Sequence, residues 1–343
     1  MIGITAYGAY IPKRRIKIKD IALAWGKNPA DIEKSLGLEE KAVAASDEDT
    51  VTLAVEAVGQ ALLMGEVNVS DVGAIMIGSE SHPYAVNPTS TIVAEALGFS
   101  PNYLAVDLEF ACKAATAGMQ AMYGLVASKK IKTGLVVGAD CAQAKPHDVL
   151  EYTAGAGAGA LFFGAKDVLV NIIDFCSYSS DTPDFWRREG VRYPSHGGRF
   201  TGEPAYFEHV CGAAKLLFTR TKSKPSDYNY CVFHSPNGKF PKNAAAMLGF
   251  TKEQLLPGFL VDKIGNPYSA SSLLSLCAVL EKAKPNEKIF LVSYGSGAGS
   301  DAFVLETTKT LLDKRKRAKN ISYYLENKGY ITYVEMLKSE GKI

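Results

Sequence analysis

The chain has 343 residues, 47% hydrophobic and 22% charged, with a formal net charge of +2. That length suits two domains, or two halves sharing one interface, in an ordinary soluble globular protein. The near-neutral balance argues against bulk attraction to nucleic acid or membrane. The six cysteines lack a Cys-x-x-Cys pair, which argues against a zinc ribbon and a disulfide framework.

The opening MIGITAYGAYIPKRR places its basic residues after its apolar ones, the reverse of a secretory leader. Further on, no apolar run approaches about 18 residues. A cytoplasmic protein without a membrane segment is expected.

The first clear element is TVTLAVEAVGQALLMG, whose Val51, Val55, Val58 and Leu62 form one helical stripe. VGAIMIGSE reads as a strand buried on both faces, and NPTSTIVAEALGF as a helix opening near Pro88 and Thr89. YLAVDLEF is a strand, CKAATAGMQAMYGLVAS a helix, GLVVGAD a strand and GAGAGALFFG a Gly-rich strand.

The second half repeats this series. NYCVFHSP parallels GAIMIGSES, NAAAMLGF parallels IVAEALGF, and FLVDKIGNPYSASSLLSLCAVL parallels LAVDLEFACKAATAGMQAMYGL. KIFLVSYG then answers KTGLVVGA, and GSGAGSDAFV answers GAGAGALFF. Five matches in order, displaced by roughly 150 to 156 residues, indicate a duplicated strand–helix unit, with a period too long for a solenoid. We expect an α/β fold of two pseudo-twofold halves, residues 1–166 and 167–308, with an unmatched polar and aromatic insertion at about 176–204. Such an insertion is either a binding loop or an ordinary surface excursion. Residues 309–343 form a basic extension, and Lys314 to Arg317 suit a solvated helix face better than a nucleic-acid site.

In alternating strand–helix proteins, sites gather beyond the carboxyl ends of the strands. Glu80 and Cys112 fall there in the first half, His234 and Asn266 in the second. The repeat puts Glu80 and His234 in corresponding turns, and Cys112 and Asn266 likewise, so a pseudo-twofold axis would bring two polar pairs to one interface. A helix starting at Cys112 would aim N–H groups at its sulfur and lower the thiol pKa. Burial beside an apolar strand would raise Glu80 toward a general base's range. Each residue also has a plain alternative: a core thiol, a solvated carboxylate, a structural imidazole, a turn asparagine before Pro267. YGSGAGS precedes a strand pattern rather than a helix, so it is no dinucleotide fingerprint. It is either a hairpin or a turn that offers N–H groups to an oxyanion.

Taken together, the duplicated halves, the Cys at a helix start, VFHSPNG, IGNPYSASS and SYGSGAGSDAF resemble the thiolase superfamily. Within it the chain is similar to the hydroxymethylglutaryl-CoA synthases of archaeal type over about residues 1–307. Thiolases carry a second catalytic Cys in the last Gly-rich turn, where this chain has Ser296. Ketoacyl-ACP synthase III enzymes share the Cys-His-Asn trio but have no need of a base such as Glu80, because their condensation is decarboxylating.

The resemblance implies a layered αβαβα fold and three catalytic residues, Glu80, Cys112 and His234. Cys112 would be acetylated by acetyl-CoA. Glu80 would remove a methyl proton, and the enolate would attack acetoacetyl-CoA with His234 and Asn266 at the ketone. Hydrolysis would then free hydroxymethylglutaryl-CoA. The resemblance also places Arg199 and Lys239 at the coenzyme A, with Thr153, Thr201, Asn243, Asn266 and Ser296 nearer the acyl part. It implies no metal or organic cofactor and a homodimer paired through central sheets. Direct association with an acetoacetyl-CoA thiolase would make thermodynamic sense, since acetoacetyl-CoA is that enzyme's unfavourable product. The other readings are a ketoacyl-ACP synthase III-like condensing enzyme and a non-catalytic acyl-CoA-binding scaffold for a thiolase.

Overall fold

A computed structural model describes all 343 residues. The apolar runs form strands β1 (Gly3–Tyr10), β2 (Val72–Gly78), β3 (Leu104–Leu108), β4 (Thr133–Cys141) and β5 (Ala156–Gly164) in the first half. The second half supplies β6 (Val170–Thr182), β7 (Tyr230–Phe233), β8 (Lys288–Val292) and β9 (Gly297–Thr307). All join in one sheet of order β7-β8-β9-β6-β1-β5-β4-β2-β3. Read outward from the centre, β1-β5-β4-β2 is answered rank for rank by β6-β9-β8-β7. The halves meet where β1 and β6 pair antiparallel over two positions, Gly3 with Asn171 and Ile4 with Val170. A Cβ on Gly3 would lie 2.0 Å from the Val170 carbonyl oxygen, so only glycine fits this seam.

Alternation along the strands sorts their side chains to two faces. Val136, Leu161, Phe163, Leu291 and Phe303 share the largest core cluster with residues of α3 (Ala114–Ala127) and α7 (Ser271–Lys282). Their neighbours Leu135, Val137 and Phe162 face α1 (Thr50–Gly65). On the second half, Phe290 and Val292 share a cluster with residues of α4 (Phe207–Thr221) and α5 (Phe240–Leu248). The layers are therefore helix, half-sheet, paired central helices, half-sheet, helix. Burying α3 and α7 between two apolar faces explains why neither has a polar stripe.

Local signals set the helix starts. Asp49 caps α1, accepting from the Thr52 N–H at 2.8 Å. Asp107, at the end of β3, accepts the Thr89 and Ser90 N–H groups at 2.6 and 2.9 Å and so caps α2 (Thr89–Ala96).

One expectation changes. FLVDKIG, matched to the strand β3, instead gives the short helix α6 (Val261–Ile264). Val261 is drawn into a cluster with Ile16, Ile18 and Val43, and the Asp262 carbonyl accepts the Glu39 N–H at 2.9 Å. Packing on the small sheet of Arg14–Lys17, Glu40–Val43 and Gly329–Tyr330 thus overrides the strand preference of Leu-Val. The basic extension folds back over the first half, with Lys316 and Arg317 left exposed, as expected of a solvated face. Its helix α8 (Tyr333–Ser339) buries Met336 in that same cluster. Arg317 pairs with Glu66 at 2.8 Å, and Arg315 donates to the Ala283 carbonyl at 2.8 Å. No helix is long and apolar enough to cross a membrane.

Candidate active site

β2 ends at Gly78 because a Cβ there would meet Ala115 N at 2.4 Å, and the chain turns through Ser79, Glu80 and Ser81. Asp140 on β4 holds that turn. Its Oδ1 accepts from Ser79 Oγ (2.7 Å), the Glu80 N–H (2.8 Å) and Ser81 Oγ (2.7 Å). Its Oδ2 accepts the Ser269 N–H at 2.8 Å, a donor from the second half. One buried carboxylate therefore fixes the Glu80 backbone to both repeats.

Cys112 arrives from β3 through Ala111, whose φ of +43° is left-handed, a strain of about 1–3 kcal/mol for a side-chain-bearing residue. The Cys112 thiol is buried and donates to Glu80 Oε1 at 3.0 Å. Burial first, then the neighbouring Asp140, raises the Glu80 carboxyl to about 8. Burial, with Glu80 close behind, pushes the Cys112 thiol well above its ordinary value. The sequence predicts a lowered thiol pKa, and the structure reverses it. The helix begins two residues later, at Ala114, and loss of water beside three carboxylates (Glu80, Asp140 and Asp184) outweighs its dipole. In this arrangement Glu80 is the carboxylate to which the thiol is hydrogen-bonded.

His234 follows β7, anchored by its N–H to the Val292 carbonyl (3.0 Å) and by the Tyr206 hydroxyl to its own carbonyl (2.7 Å). Its ring is fully buried with neither nitrogen partnered. Burial lowers its pKa to about 3, so it is a neutral imidazole with a donor and an acceptor both open. Asn266 is not hydrogen-bonded to it. The Asn266 Oδ1 accepts the Tyr268 N–H at 3.0 Å, and its backbone pairs with Thr153 and Gly155. An Asx turn thus takes the carbonyl oxygen and leaves the amide nitrogen free.

The Gly295–Gly299 turn closes on itself through reciprocal N–H to carbonyl bonds of 2.8 Å. Asp184, from the insertion, braces it by accepting the Tyr294 hydroxyl (2.7 Å) and the Gly297 N–H (2.8 Å). Neither the Cys112 nor the Ser296 amide serves a turn, cap or ladder bond, which leaves two N–H donors for a ligand.

Asp140 and Asp184 were missed in the sequence. Their only signals were a strand ending GAD and an Asp before Phe-Trp in the insertion. A cavity of about 620 Å³ opens beside Glu80 and Ala111, with His82, Phe185, Arg187 and Tyr268 among its walls. Arg199 and Lys239 are exposed and lie outside that wall. Thr153 is buried and Asn243 exposed, while Thr201 donates to the Asp184 carbonyl at 3.2 Å. No three His, Cys, Asp or Glu side chains are grouped to hold a metal ion.

Comparisons with known proteins decide among the branches of the fold. Over all 343 residues the chain is 54% identical to the hydroxymethylglutaryl-CoA synthase of Methanocaldococcus jannaschii, covering 99% of that protein. The corresponding protein of Methanobrevibacter smithii is 52% identical over the same span, with 99% of it covered. The chain belongs to the hydroxymethylglutaryl-CoA synthase family. A solved member of the family complexed with CoA superposes with a TM-score of 0.90 at 24% identity, covering 98% of this chain and 89% of that one. The model of the 3-oxoacyl-[acyl-carrier-protein] synthase III C terminal matches residues 218–307 alone. A synthase III structure from Pseudomonas aeruginosa, at 20% identity and a TM-score of 0.83 over 90% of this chain and 98% of that one, shares the fold. Family membership makes the chain an acyltransferase of the mevalonate pathway, joining acetyl-CoA and acetoacetyl-CoA into hydroxymethylglutaryl-CoA.

Proposed function

We propose that Cys112, Glu80 and His234 carry this condensation. Glu80 accepts the Cys112 proton as sulfur attacks the acetyl carbonyl, and that proton leaves on the coenzyme A thiol. The freed carboxylate then removes a proton from the acetyl methyl group. Ser296 and Cys112 N–H groups face the enolate oxygen, where donors in a dry site act most strongly. The enolate carbon attacks the ketone of acetoacetyl-CoA. His234, neutral, donates its N–H to that ketone and passes the proton to the alkoxide, to be replaced from solvent. Glu80 first releases the methyl proton to solvent; as a carboxylate again it deprotonates the water that cleaves the thioester, and it returns that proton to the departing Cys112 thiolate.

The observation that carries this reading is the 3.0 Å contact between Cys112 Sγ and Glu80 Oε1, together with the buried His234 imidazole, which has no protein partner. Thr153, Thr201, Asn243 and Asn266 are assigned to the acyl groups, and Arg199 and Lys239 to the coenzyme A phosphates, where loop cations suit anions. The same reading takes the halves to divide at residue 166 with the extension from 309, and the enzyme to act in the cytoplasm as a homodimer. Association with an acetoacetyl-CoA thiolase fits the chemistry, because that reaction's product is unfavourable and is consumed here.

Incubation with acetyl-CoA, with and without acetoacetyl-CoA, tests the assignment by mass spectrometry. Acetyl-Cys112 with the first alone, and hydroxymethylglutaryl-CoA with both, is the expected result. Acetylation at another residue would overturn it.

A further inference from the structure

Lys113, the residue after the nucleophile, carries a buried charge that the chemistry above leaves unused. Its Nζ lies 3.1 Å from both carboxylate oxygens of Asp301, with the two side chains only 5% and 1% exposed. The ammonium also sits 4.2 Å from the centre of the Phe110 ring. Around Asp301 the polar groups converge: Thr116 Oγ1 donates at 2.7 Å and Ser177 Oγ at 2.8 Å, and its N–H reaches Ser293 Oγ at 3.1 Å. Burying such a pair costs desolvation that its attraction only roughly offsets, so stability alone does not account for it.

Position accounts for it. Lys113 lies on the first half and Asp301 on β9 of the second, just beyond the Ser296 turn. The lysine stem runs under that turn: a Cβ on Gly295 would meet Lys113 Cγ at 2.7 Å, and one on Gly299 would meet Cε at 3.0 Å. One side chain thus starts beside the Cys112 amide, underlies the turn that presents Ser296, and ends on the strand leaving that turn.

We propose that Lys113 is a positioning residue that, through its ion pair with Asp301, holds the Cys112 and Ser296 amides at the spacing of one oxyanion hole. A buried pair has one good geometry, so it sets register where apolar contacts would slide. The inference rests on the assignment of Cys112 and Ser296 above. It explains why both glycines flanking the turn are needed and why the nucleophile is followed by a cation that never reaches solvent.

The test uses the whole enzyme with [1-13C]acetyl-CoA, reading Cys112 acetylation, condensation, and the infrared carbonyl band of the acetyl-Cys112 thioester. Lys113→Met leaves Asp301 bare, so the double variant Lys113→Met/Asp301→Asn supplies a neutral pair that removes the uncompensated charge. In the double variant both rates fall by about tenfold or more, while KM stays within about twofold; losing one such donor outright costs about 10²–10³. The carbonyl band moves to higher frequency, a change that reduced stability by itself does not cause. Lys113→Arg, which keeps the charge, recovers most of the rate. A folded double variant with wild-type rates and an unshifted band would overturn the proposal, as would equal activity in Lys113→Met and Lys113→Arg. Absence of acetyl-Cys112 in the wild-type enzyme would bring down the nucleophile assignment instead, whatever the variants do.

Discussion

The Cys112 thiol and the Glu80 carboxylate form one proton-sharing pair, sulfur to oxygen 3.0 Å, with both groups held above their ordinary pKa values. Acid and nucleophile are thus not independent stations. Whatever alters one alters the other's proton.

The pair makes Glu80→Gln informative. The amide cannot take a proton from the acetyl methyl group, so condensation falls by about 10²–10⁴, the usual contribution of a positioned base. Acetylation of Cys112 is slowed less, because alkaline buffer can supply the thiolate. Separate assays of acetyl-enzyme and of hydroxymethylglutaryl-CoA check this; equal loss in both would contradict the division of roles.

The pH profile follows from the same group. Glu80 must be ionised to act, and its raised value sets a rising limb centred near 8. His234, lowered to about 3, stays neutral throughout and adds no limb between about 5 and 8. Initial rates from about pH 5 to about pH 10, with Glu80→Gln as control, test both statements.

Asp140 raises Glu80 by its negative charge while gripping the Glu80 turn. Asp140→Asn removes the charge, so the rising limb shifts to lower pH. The amide keeps one oxygen for the turn but cannot accept the Ser269 N–H with the other position, so the tie to the second half loosens and the plateau rate falls by about tenfold or more. A lower plateau with an unmoved limb would limit Asp140 to a structural part.

Stability in acid is the province of His234. Its folded value lies below the unfolded 6.5, near 3, so the neutral ring's contribution is complete above about 6.5 and is lost as pH falls toward 3. Glu80, raised to about 8, gains stability as pH falls toward 4.5 and opposes this loss, so the His234 contribution is read by difference: the wild-type melting temperature should fall relative to that of His234→Gln over the window. Thermal scans from pH 7 to 4 would show it.

The extension makes a mechanical prediction. Met336 is fully buried against Ile16, Ile18 and Val43, and Met336→Ala should cost about 2–5 kcal/mol. The melting temperature falls by several degrees, while the acetylation rate of the folded enzyme is unchanged.

Much of this was legible beforehand, for identifiable reasons. Continuous apolar strands and the second statement of the same series mark the layers, and residues just past strand ends mark Glu80, Cys112 and His234. What escaped depends on contacts distant in sequence. Nothing local announces that Asp140 receives Ser269 or that Asp184 braces Gly297. The thiol's proton affinity was misjudged because a helix start is a local feature, whereas dehydration is decided by the whole fold. The segment around Val261 shares its Val-Asp pair with the strand β3, yet the small sheet beside it took it as a helix.

The mirrored strand order has one more consequence. Two separate copies of a repeat, related by an exact axis, would have to carry the same residue at each equivalent place. Joined in one chain, they are released from that obligation. The turn after one strand can hold an acid and its counterpart an imidazole, and a thiol can precede one central helix where none precedes the other. Asymmetry of this kind lets a single cleft treat its two coenzyme A esters differently, one as the carbon donor and the other as the acceptor.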